Sequence, residues 1–102
     1  MPDTETSRPP SLTRRRFTCA GLAYVCSYSR FADGSLGEVF VGNHKSNSAA
    51  DTNARDAAIT FSFAVQHGAD PEAIRRALCR DSHGNPSGPL ATALDLIAES
   101  SS

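Results

Sequence analysis

Apolar and polar residues alternate in the first half of the chain. Leu22, Tyr24, Cys26 and Tyr28 would fall on one face of a strand, with Ala23, Val25, Ser27 and Ser29 on the other. This β-forming run covers residues 17–31, and Gly21 marks either a bulge in it or the strand's true start. Ala32, Asp33, Gly34 and Ser35 then give a turn signal, because Asp-Gly readily supplies the positive φ of a tight hairpin. Residues 36–41 return as a second strand. Leu36, Glu38 and Phe40 alternate there with Gly37, Val39 and Val41, and Glu38 is expected on an exposed face.

After residue 48 the period changes from two to that of a helix, expected to run from about residue 49 to residue 67. Ala50, Ala54, Ala57, Ala58, Phe61, Ala64 and Val65 share one broad stripe, whose small side chains permit close approach to a sheet. Ile59 and Phe63 lie on the opposite side. The helix is therefore expected to be covered twice, by the sheet on its alanine face and by another helix or a second subunit on the other. His67 and Gly68 suit its C-terminal end. Asp70 followed by Pro71 opens a second helix as N-cap and first residue, with Ala73, Ile74, Ala77 and Leu78 as its apolar stripe and Arg75, Arg76 and Arg80 solvated. Residues 79–89 read as a loop, and Leu90, Ala91, Leu94, Ile97 and Ala98 place a third helix after it.

The pattern predicts an α+β fold, a small antiparallel sheet of two or three strands packed by two or three helices, within residues 17–99. Residues 1–16 are polar, contain prolines and have no period, so a disordered tail is expected there. Thr13 to Phe17 has twin-arginine character, but the apolar stretch after it is short and no small-residue cleavage site follows. A net charge of −1 supplies no overall basic field, which argues against nucleic acid as a partner. No apolar run approaches the roughly 18 residues of a membrane span. Cys19, Cys26 and Cys79 are odd in number, widely spaced and without a CxxC. They fit reduced thiols in a cytoplasmic protein better than a disulfide framework or a zinc site.

The most polar loop of the ordered part joins the second strand to the long helix. Gly42, Asn43, His44, Lys45, Ser46 and Ser48 lie in it. Such a loop presents backbone N–H groups beside the positive end of a helix dipole, so these six residues are the candidate anion or phosphate site. The spacing is not that of a phosphate-binding P-loop. No nucleophile–base pair or carboxylate cluster marks a catalytic centre.

Residues 33–78, from Asp33-Gly34 through Glu38-Val39-Phe40, Lys45-Ser46 and the alanine-rich helix to His67-Gly68-Ala69, resemble the TSCPD domain. That family forms the C-terminal domain of adenosylcobalamin-dependent ribonucleotide reductases and also small stand-alone proteins. The likeness extends over roughly residues 17–98, and it is carried by order and spacing. The family's Thr-Ser-Cys-Pro-Asp motif corresponds here to Pro86-Ser87-Gly88-Pro89-Leu90, with glycine in place of the cysteine and leucine in place of the aspartate. The thiol that would bind metal or exchange a disulfide is therefore missing, and no metal or cofactor is expected.

The resemblance implies a non-catalytic accessory or binding module related to ribonucleotide reductase, with a reductase subunit as partner. The alternative is a small phosphate- or nucleotide-binding protein using the loop at 42–48. A homodimer is also expected, because a lone two-stranded hairpin is too little sheet to stand by itself.

Overall fold

The computed structural model describes residues 12–100. It is an α+β fold with a three-stranded antiparallel sheet and three helices. The strands are β1 (Leu12–Cys19), β2 (Leu22–Arg30) and β3 (Leu36–Asn43), in the order β1-β2-β3. The helices are α1 (Ala49–Gln66), α2 (Pro71–Ala77) and α3 (Pro89–Ser100).

The run expected as one strand over residues 17–31 is a hairpin. It reverses at Ala20 and Gly21, which have φ of 53° and 79°, and Cys19 pairs with Leu22 across the two-residue turn. The true start after Gly21 was the correct alternative. The expected tail of 1–16 is too long, since residues 12–16 form more than half of β1. They order because β2 offers them a full register, from Leu12 opposite Ser29 to Phe17 opposite Tyr24. The remainder of the expected tail, residues 1–11, lies outside the described residues.

The alternation of β2 and β3 settles their inward faces. Tyr24, Cys26 and Tyr28 of β2 and Val39 and Val41 of β3 are buried, whereas Glu38 and Phe40 are exposed. Helix α3 lies across this inner face. Its Leu90, Ala93, Leu94 and Ile97 join the core, the Tyr28 hydroxyl meets Ser100 Oγ at 3.0 Å, and Arg30 Nη2 donates to the Ile97 carbonyl at 3.1 Å.

Helix α1 runs antiparallel to β3 along its outer edge. Asp51 sits by Asn43 at one end and Ser62 by Val39 at the other. Ala54, Ala58 and Phe61 of the expected stripe are buried. Ser62 Oγ accepts from the Val39 N–H and donates to the Val39 carbonyl, both at 3.1 Å. The helix thereby satisfies backbone groups of an edge strand that would otherwise invite pairing. Of the two coverings expected for the far side of α1, a second helix is not found: among the described residues neither α2 nor α3 shields Ile59 and Phe63, which are 48% and 60% exposed.

Candidate functional site

The loop between β3 and α1 is built around Asp51. Ser48 caps α1, its Oγ accepting the Asp51 N–H at 3.1 Å while donating to the Lys45 carbonyl at 2.8 Å. The Asp51 carboxylate, almost fully buried, reaches back over the loop. Its Oδ1 accepts the Asn43 N–H at 2.9 Å, and its Oδ2 accepts the Asn47 N–H at 3.3 Å and Arg55 Nε at 2.9 Å. The Asn43 N–H, with help from Arg55 and the Asn47 N–H, holds this carboxyl below the usual carboxylate range against the opposing effect of burial. Asn43 Oδ1 accepts the Lys45 N–H at 2.9 Å, and the Ala23 carbonyl takes the His44 N–H at 3.0 Å.

This arrangement bears on the expectation for residues 42–48. The loop does gather backbone donors, but the protein's own carboxylate occupies the place an external anion would take. Gly42, Asn43 and His44 border the adjoining sheet surface. Lys45 and Ser46 are exposed, and Ser48 is committed to its cap. The six residues do not form one cradle. Asp51 was legible as the last member of the Ser48-x-x-Asp51 spacing of a helix start. Its long-range bond to Asn43 was not, since that depends on how α1 docks on β3.

The surface beside the loop is a more open site. No described element covers the outer face of the sheet. A shallow cleft of about 560 Å³ runs over it, bordered by Arg14 of β1, Val25 and Ser27 of β2, Phe40 of β3, and Arg55 and Ile59 of α1. It continues, past His44, into a second concavity of about 550 Å³ that includes Arg16. A Cβ at Gly42 would stand 3.5 Å from Arg55 Nη2, an ordinary contact distance, so this guanidinium lies close against the strand. Phe40 is 47% exposed and borders the cleft together with the half-exposed Ile59 of α1, while Phe63, one turn further along α1, is exposed as well. Arg14 and Arg16 have no carboxylate partner among the described residues. The face thus combines exposed apolar side chains with arginines available to a partner.

The arginines of the other half of the chain are employed internally. Arg75 bonds Glu72 and Asp95, and Arg80 grips Asp95 through both oxygens at 2.8 and 2.9 Å. Bonding to Arg75, and then to Arg76, brings the Glu72 carboxyl down to about 2. Arg80 and Arg75 lower Asp95 likewise. This network ties α2 and the loop after it to α3. Arg75 and Arg80 are therefore structural and not the solvated residues expected. Cys19 and Cys26 are buried and Cys79 is exposed, all three as free thiols. Among the described residues, no three of the His, Cys, Asp and Glu side chains come together as a metal site would require.

Compared with protein-family models, curated proteins and solved structures, the chain matches none. The TSCPD resemblance thus rests on the residues quoted for it. No helix of the described residues is long and apolar enough to cross a membrane.

Proposed function

We propose that this chain is a non-catalytic binding module whose working surface is the outer face of its sheet. One observation carries the reading: helices cover the inner face and one edge of the sheet, while the outer face carries the exposed Phe40, bordered by Ile59 of α1, beside Arg14 and Arg16, which have no carboxylate partner among the described residues. Exposed aromatic and arginine side chains at the centre of a contact contribute most to protein association. The resemblance to the TSCPD domain supplies the partner class, a ribonucleotide reductase subunit in the cytoplasm. The chain then acts as an accessory to chemistry performed elsewhere.

The test is affinity capture from the native host on wild-type bait and on bait carrying both Phe40→Glu and Ile59→Glu. The reading requires a protein enriched by the wild type and lost from the double variant. Identical recoveries on both baits contradict it. A reductase subunit among the lost proteins supports the resemblance, and its equal recovery on both baits counts against that partner.

A second reading has its own support. Arg14, His44 and Arg55 converge on one cleft whose floor includes Phe40. That is a setting for a phosphate beside a flat ring, as in a nucleotide. It keeps the expected ligand chemistry and moves the site from the loop to the sheet. Calorimetric titration with a nucleoside triphosphate and with inorganic phosphate tests it. Saturable heat that disappears in Arg14→Ala would support the reading, and flat isotherms would remove it.

A further inference from the structure

The two edges of the sheet are unequal. That of β3 is closed by Ser62 and Asp51. That of β1 has no backbone partner among the described residues. Cys19 and Leu22 close a two-residue turn, so Cys19, Phe17, Arg15 and Thr13 direct their backbone groups toward β2. Thr18, Arg16, Arg14 and Leu12 direct theirs outward, and their side chains are all exposed. Arg14 and Arg16 border the outer-face concavities. Among the described residues, the same two residues therefore offer main-chain groups and guanidinium groups without partners, about 7 Å apart along the strand.

These charges select the occupant. Two copies of β1 paired antiparallel about Arg15 would set Arg14 against Arg16 and Arg15 against Arg15, and like charges directly opposite one another oppose pairing. The edge is thus guarded against a second copy of itself. An acidic strand meets the reverse situation. We infer that β1 is the docking edge for an extended acidic segment of a partner protein, which adds as a fourth strand and carries carboxylates two residues apart, one facing Arg14 and one facing Arg16. Main-chain bonds at the four outward residues supply affinity, and the alternation of the acids supplies register. The inference rests on reading the chain as a binding module and names the chemistry of its partner.

The experiment uses the full chain and two synthetic peptides of about ten residues, a usual strand length. One carries its two acids at alternate positions; the other has the same composition with the acids adjacent. Binding is read by fluorescence anisotropy, and docking by amide exchange at Leu12, Arg14, Arg16 and Thr18. The alternating peptide is expected to bind about tenfold more tightly, the loss of one well-placed charge pair being of that order, and to protect the four amides. The variant with Arg14→Glu and Arg16→Glu, checked for an unchanged far-ultraviolet spectrum, should lose that peptide and take one with lysines at the same positions. Equal binding of both acidic peptides, or binding without protection, would mean a diffuse charge effect and would overturn the inference. Asp3 and Glu5 have the same alternation within the chain. Protection of the Arg14 and Arg16 amides before any peptide is added would also overturn it, as the edge would then already be held. Failure here alongside a positive capture experiment leaves the binding-module reading standing. Loss of discrimination between the capture baits, with peptide docking intact, removes the outer-face reading alone.

Discussion

Ser62 interrupts the apolar side of α1, and in the sequence it reads as a neutral gap between Phe61 and Phe63. In the structure one hydroxyl serves both the N–H and the carbonyl of Val39 in a buried setting. Replacing it by alanine leaves two buried backbone groups without a partner. Ser62→Ala should cost about 1–3 kcal/mol in urea unfolding, and a change near zero would show that water enters the gap. Asp51→Asn keeps the shape of the side chain but removes the charge that accepts from Asn43, Asn47 and Arg55. It should lower the melting temperature by several degrees and speed amide exchange at Asn43. The helix cap at Ser48 was legible because capping is local. The buried reach of Asp51 and the edge-sealing of Ser62 were not, because each joins residues brought together only when α1 docks.

At the scale of elements, the turn that is hardest to read decides the topology. Asn-Gly or Asp-Gly would have announced the hairpin between β1 and β2. Ala20 gives no such signal, since a side chain disfavours its left-handed conformation. The strand before it was obscured by three successive arginines, which tolerate the edge because two of them face solvent. The other elements followed from their periods: β2, β3, α1, α2 and α3 all lie close to where the pattern places them. A chain starting at Phe17 would lose residues 12–16 and with them most of β1. It should unfold with reduced cooperativity, and an unchanged melting curve would contradict the role assigned to β1. The network between α2 and α3 makes a pH prediction. Glu72 falls from 4.5 to about 2 on folding, and Asp95 is lowered as well. Groups whose folded pKa is depressed stabilise the fold above their unfolded pKa and lose that contribution as pH falls through the folded one. Stability should therefore decline between about pH 4.5 and 2, and Asp95→Asn should flatten part of that decline in urea titrations at each pH.

For the whole molecule, the sheet is finished on one side only. The third strand removes the reason for expecting a dimer from too small a sheet, yet Ile59 and Phe63 remain exposed. Phe63→Glu should thus leave monomer stability within about 0.5 kcal/mol, as for surface substitutions generally. If a second copy covers that strip, the same change should turn a dimer into a monomer in light scattering. A variant that unfolds instead would place Phe63 in the core. The measurement closest to the central claim is hydroxyl-radical footprinting of the chain, free and with its captured partner. The free chain should be modified readily at Phe40, Ile59 and Phe63 and slowly at the buried Tyr24, Tyr28 and Phe61. Partner binding should protect the first three and leave the exposed Phe31 as reactive as before. Undiminished labelling of Phe40, Ile59 and Phe63 in the complex would contradict the assignment of the outer sheet face as the binding surface.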